Sequence, residues 1–391
     1  MIPMHACRWP RMALLVFLVF MIGACASSGK RPVIKADDPA DAYIAEGTRL
    51  LEAGHYEGAE REFLWVLRSD AKNSRAHTGL ALTKAYQGNF KESLESLRRG
   101  CKYAVREEEK KLCQISRLRI YTVDRRDKRW FLETKEAFAA ATRIDPHAGD
   151  AYYFMGLAYK ENLMFDDAGK MFRQAAESRE RHAQEAGREL ERMREIQKVM
   201  VTTRIGRRIV LAERITRADC AALIMEEIKL GKILQGGGHA NTANRKTRPE
   251  GEGKSGDGGL SAARDISGHP LSRYIEDVSA YRIAGLDNYP DGTFRPGEYV
   301  NRGAYAMMMA DLIVMLRGKK GEAADDSAAA TNILPQDVAP ESPYYDAIMT
   351  VTSREIMGFK DENRGVFAPL TPVSGLEALT VIRKFKEDLR I

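Results

Sequence analysis

Gly47, Tyr56, Ala59 and Phe63 return as Ala81, Phe90, Ser93 and Leu97, each displaced by 34 residues. Further along, Phe131, Phe138 and Ala141 return as Phe165, Phe172 and Ala175, again 34 residues on. The join between the two pairs, Leu97 to Phe138, is 41 residues, one period plus an insertion near EEEKKLC. A period of this length constrains the fold more than any other feature of the chain. It predicts two-helix units that cannot bury their apolar faces alone and must stack, three or more together, into a solenoid. Small residues at 47, 81 and 156 let the two helices of a unit approach. Ala59, Ser93 and Ala168 do so at the crossing point, and the aromatics fill the space between successive hairpins.

The last copy, DAYYFMGLAYKENLMFDDAGKMFRQAAE, is the clearest, with Tyr152, Gly156, Tyr159, Phe165, Ala168, Phe172 and Ala175 in pattern. Period and pattern together resemble the tetratricopeptide repeat, expected over 40–182 with one degenerate copy at about 115–148. The charged run after it reads as a capping helix over 183–200. The resemblance implies a concave face built from the first helix of each hairpin. Its candidate partner-binding residues are Thr48, Arg75, Tyr86, Arg119, Tyr153 and Lys160. Their charges are mixed and no Lys/Arg run is aimed at a peptide carboxylate, so the expectation is a general protein-binding surface.

The second half is organised differently. ITRADCAALIMEEI (215–228), VNRGAYAMMMADLI (300–313) and VSGLEALTVIRKF (373–385) each open with Val or Ile, then a capping-type residue, then an amphipathic helix. The second and third are preceded by an Asp, a short helix, a hydrophobic-Gly turn, an Asp loop and Phe-x-Pro. Two Gly-, Lys- and Asn- or Ala-rich stretches, 235–262 and 318–333, hold too few apolar residues to offset ordering and read as linkers. The expected copies are therefore 201–234 (truncated), 263–317 and 334–391.

This layout resembles the S-layer homology domain. In the middle copy Asp265, His269, Ile275, Gly285, Tyr289, Asp291, Gly292, Phe294, Arg295, Pro296 and Arg302 carry the resemblance; in the first, Thr216 to Asp219 do. The resemblance implies three copies around a pseudo-threefold axis, with grooves that bind acidic cell-wall polysaccharide. Candidate glycan-binding residues are Arg217, Asp291, Gly292, Arg295 and Arg302. Arg217 and Arg302 follow helix caps, where a guanidinium and free backbone amides would together suit an anionic sugar. Thr216-x-x-Asp219 and Ser374-x-x-Glu377 also read as capping boxes that need no ligand. The sequence departs from the family at Pro270 and Pro343, at Gly375 where Arg would sit, and in the missing Asp-Gly loop of the first copy. Asp287, Asp291, Gly292 and Glu298 fall in a calcium-loop register, but Tyr289 and Pro290 occupy its interior and no metal is expected.

The N-terminus reads as an export signal over 1–24: Arg8 and Arg11, then the apolar run MALLVFLVFMI, then Ile22-Gly23-Ala24-Cys25. The tetrapeptide resembles the bacterial lipobox, which implies lipidation (palmitate-type acyl chains) at Cys25, an anchored linker over 25–39, and, with Ala at 26, the outer membrane facing the periplasm. Without the signal the charge falls from +6 to about +4, too mild for a nucleic-acid footprint. Cys101, Cys113 and Cys220 lack CxxC or His neighbours; Cys220 reads as a core residue, and spacing leaves open whether Cys101 and Cys113 pair. No HExxH, GxSxG or phosphate loop is present. The expectation is a mainly α, non-enzymatic envelope lipoprotein without cofactor. Its helical repeats scaffold a protein partner, and its C-terminal module docks to peptidoglycan or an associated acidic polysaccharide. The alternative is an assembly or piloting lipoprotein for a secretion, pilus or outer-membrane protein machine, whose C-terminal module is purely structural.

Overall fold

The computed structural model describes residues 39–178, 180–235, 263–320 and 334–391. The expected signal segment, the expected lipidation site Cys25 and most of both low-complexity stretches lie outside the described residues. Among the described residues there are sixteen α-helices and no strand, only isolated bridges. The chain divides into two compact units between Tyr103 and Ala104, just before the EEEKKLC stretch (107–113) rather than at the end of the repeats.

The first unit holds two hairpins, α1 (Pro39–Glu52) with α2 (Tyr56–Ser69), and α3 (Ser74–Tyr86) with α4 (Phe90–Tyr103). The repeat pattern is the packing. Phe63 is fully buried, and a Cβ on Gly47 would stand 2.9 Å from its ring. At the next crossing, buried Ser93 donates its hydroxyl to the Ala81 carbonyl at 2.7 Å. Gly54 and Gly88, one period apart, turn each hairpin with positive φ.

The second unit continues with α5 (Glu107–Val123), α6 (Trp130–Ile144), α7 (Gly149–Glu161), α8 (Phe165–Glu177) and α9 (Ala183–Lys198). Phe172 packs on Gly156 as Phe63 does on Gly47, with 2.6 Å to a built Cβ. Leu163 takes the left-handed turn position that glycines hold in the first unit. Cys101 and Cys113 are each disulfide-bonded, while Cys220 is free and buried.

The expected capping helix, α9, does more than cap. Its Met193 and Ile196 join Phe165 and Phe172 in one apolar core that runs on through Ile215, Phe294, Tyr305, Phe367 and Phe385. Polar ties reinforce the joint. Arg192 donates to the Leu211 carbonyl at 2.9 Å. The buried Glu227 carboxylate accepts from the Thr202 hydroxyl and from both amide and hydroxyl of Thr203 at 2.6–3.0 Å.

The C-terminal helices are α10 (Arg204–Ile209), α11 (Arg217–Leu223) running into a π turn at Ile224–Ile228, α12 (Leu230–Gln235), α13 (Ser272–Ser279), α14 (Arg302–Lys320), α15 (Tyr345–Ser353) and α16 (Gly375–Leu389). α14 extends to Lys320, past the boundary expected at 317.

Candidate functional site

The three Val/Ile-plus-cap segments meet around one axis. Ile215 N donates to Val373 O at 2.9 Å, Val300 N to Ile215 O at 3.0 Å, and Val373 N to Val300 O at 3.0 Å, closing a ring. All three side chains are buried. Each is followed by an N-cap whose side chain accepts the amide three residues on: Thr216 from Asp219, Asn301 from Ala304 and Ser374 from Glu377. The expected first copy, which lacks the Asp-Gly loop, still supplies Ile215 to the ring.

The Phe-x-Pro loops are held alike. Asp265 accepts the amides of Phe294 and Arg295 at 2.8 and 2.7 Å; Asp337 accepts those of Phe367 and Ala368 at the same distances. Arg295 and Ala368 both adopt left-handed φ, near 56° and 58°, a conformation that costs a side-chain-bearing residue about 1–2 kcal/mol. The two-amide grip compensates. Burial pushes the Asp265 carboxyl up, but the two amides prevail and its pKa lies below the ordinary value. These aspartates are not among the expected site residues, although each stands at a similar distance before its Phe, 29 residues for Asp265 and 30 for Asp337.

Each loop then receives an arginine from the preceding copy. Arg217, 7% exposed, donates Nε to Phe294 O at 2.8 Å and its terminal nitrogens to Gly285 O and Asp287 O at 2.6 and 2.8 Å. Its guanidinium lies 4.7 Å from the Phe294 ring centre. Arg302, 2% exposed, repeats this with Phe367 O at 2.8 Å and Gly358 O at 2.6 Å, 4.3 Å from the Phe367 ring. The first-turn amides are engaged too: Arg217 and Ala218 donate to Glu298 O and Pro296 O, Arg302 and Gly303 to Thr371 O and Pro369 O. The expectation of free amides beside a free guanidinium is corrected here. Both helix starts spend these donors on the neighbouring copy, because the copies pack through the loops that a ligand was expected to reach.

Arg302 differs in its last partner, forming an ion pair with Glu377. Burial lowers its pKa to about 10, with Asp337 acting in the opposite sense, so it is charged at neutral pH. Glu377 also takes Lys360 Nζ at 3.0 Å. The capping box expected at Ser374–Glu377 is thus only half formed, whereas that at Thr216–Asp219 is complete. Arg302, Gly358, Lys360, Ser374, Glu377 and Lys384 line an open cavity of about 320 Å³.

Asp291, Gly292 and Arg295 sit together in the middle copy's loop. Asp291 accepts the Thr293 hydroxyl and amide at 2.6 and 2.9 Å and pairs with Arg295 at 3.0 Å, which lowers its pKa to about 2. Arg295 lies 3.9 Å from the Tyr289 ring centre, Gly292 turns with φ +77°, and Tyr289 bonds Glu298. No group of three or more potential metal ligands gathers among the described residues.

Residues 264–306 and 336–379 match the S-layer homology domain. No curated protein matches the chain. The C-terminal part therefore carries two matched S-layer homology copies, and the ring adds residues 215–217 in the place of a third.

The concave-face candidates are spread over both units. Thr48 bonds its own helix at Ile44 O, Arg75 pairs with Asp41, and Tyr86 stacks on Tyr56 at 5.6 Å. In the second unit, buried Arg119 lies 4.3 Å from the Phe154 ring centre, Tyr153 stacks on His182 at 4.7 Å, and Lys160 pairs with Glu189 at 2.7 Å. Each of these groups is tied to partners within its own unit.

Proposed function

We propose that this protein is a non-enzymatic cell-envelope lipoprotein, anchored through acyl chains at Cys25, with its C-terminal module docked to peptidoglycan or an associated acidic polysaccharide. Its helical repeats, read as tetratricopeptide-like, scaffold a protein partner at the membrane, the outer membrane being the expected one. The observation that carries the reading is the closed ring of Ile215, Val300 and Val373, because it completes a three-copy module where the family model matches only two. Glycan contact falls to the groups left accessible, Arg295 beside Tyr289 and Lys360 at the mouth of the cavity that buried Arg302 lines, while Arg217 supports the fold. The test is co-sedimentation of the mature chain with sacculi, with and without their accessory polymers. Sedimentation that disappears with the polymers, or on Arg295→Ala together with Lys360→Met, supports docking.

A second reading is favoured by the arginine clamps themselves. Guanidinium groups spent on carbonyls suit a module kept for packing, in an assembly or piloting lipoprotein whose repeats do the work. Folded mature chain that ignores sacculi while its repeats capture an envelope partner decides for it.

A further inference from the structure

The cavity between the second and third copies already contains a carboxylate. Glu377 stands at the third position of α16, and its amide is taken by Ser374 as in a capping box. Its side chain does not return to the cap, as Asp219 does to the Thr216 amide at 2.9 Å. It reaches across the copy boundary to Arg302 and, within its own copy, to Lys360. Two cations converging on one carboxylate in an open, hydroxyl-bearing cavity is the arrangement an acidic sugar would find. The groove between the first and second copies is built otherwise. There Ala304 stands at the position of Glu377, Asp287 at that of Lys360, and the third bond of Arg217 goes to a carbonyl.

Resting on the wall-docking reading, we propose that Glu377 is the specificity-determining residue of this groove. It acts as a built-in ligand, and a carboxylate-bearing saccharide enters only by displacing it from Arg302 and Lys360. The unmodified groove is then a weak anion site, and removing the internal charge strengthens it. Its selectivity is for acidic over neutral sugars, because the cavity cations otherwise keep their own partner.

Isothermal titration of the mature protein with glucuronate, and with glucose as the uncharged control, tests this. Glu377→Gln should bind glucuronate about tenfold more tightly than the unmodified chain, the scale of one released ion pair. Adding Lys360→Met should remove the gain, and glucose binding should not move. A folded Glu377→Gln protein with unchanged glucuronate affinity overturns the proposal, as does a gain that survives Lys360→Met. Should Glu377→Gln fail to fold, Glu377→Asp, too short to hold both cations, carries the same expectation. Sacculus binding reports separately: if the unmodified chain sediments but Glu377→Gln gains nothing, docking stands and this role for Glu377 falls. If glucuronate affinity rises while no form sediments, the docking reading falls alone.

Discussion

Gly375 lies against the carbonyl of Ile209 so closely that a Cβ on it would overlap that oxygen. The family pattern would put arginine here, as at 217 and 302. The first copy has no Asp-Gly loop to receive one. Its backbone instead packs directly on α16, and the Gly375 amide donates to Ala212 O at 2.8 Å. Gly375→Ala should therefore destabilise the module by about 3 kcal/mol, since the obstacle is backbone rather than a movable side chain. Urea unfolding monitored by circular dichroism measures it.

Arg217→Ala should cost about 4 kcal/mol, because it removes the donor from three carbonyls at Phe294, Gly285 and Asp287. Arg217→Lys should recover little of this, since one ammonium cannot reproduce the planar fork that spans them. Chemical denaturation of the three proteins compares them directly.

A carboxyl NMR titration should place the Asp291 midpoint near 2, below its ordinary 3.8. Its pKa is depressed in the folded state, so its favourable contacts are complete above about pH 4 and lost as the pH falls through about 2. Thr293→Val should move the midpoint upward more than Arg295→Ala, because the Thr293 hydroxyl is the larger influence.

Cys220 should resist iodoacetamide in the native protein and react on unfolding, since complete burial raises its thiol pKa well above the ordinary value. With Cys101 and Cys113 left oxidised, its labelling rate in denaturant reports opening of the module core.

A fragment starting at residue 201 should melt at least about 10 °C below one starting at 145, given the few degrees expected per kcal/mol in a domain of this size. The cut would strip Phe172, Met193 and Ile196 from the shared core and break the Arg192–Leu211 tie. Differential scanning calorimetry of the two fragments makes the comparison.

Much of this architecture was legible because it rests on periodicity. The distance from Gly47 to Phe63 equals that from Gly156 to Phe172, and both pairs are helix-crossing contacts. The Ile/Val before each cap was equally plain, and those residues form the axis. The direction of each arginine was not. A guanidinium after a helix cap looks the same in sequence whether it faces a ligand or a carbonyl of the next copy, and only the register between copies decides. Glu377 misled for a related reason: its spacing from Ser374 suits a capping box, but the stronger pull comes from cations 75 and 17 residues away in the chain. Gly375 looked like a lost arginine because nothing local announces the approach of Ile209.

The ring at the axis also dictates when this module can exist. Ile215 comes first in the chain, yet its amide waits for the carbonyl of Val373, 158 residues later (373 minus 215). Closing so long a span costs entropy before any contact repays it, although that cost grows only slowly with length. The first copy therefore stays unlocked until the chain has been made through Val373, and a product truncated before that residue keeps only the Val300–Ile215 bond of the ring. Insertions between copies are cheap by the same arithmetic, whereas loss of the last segment is not.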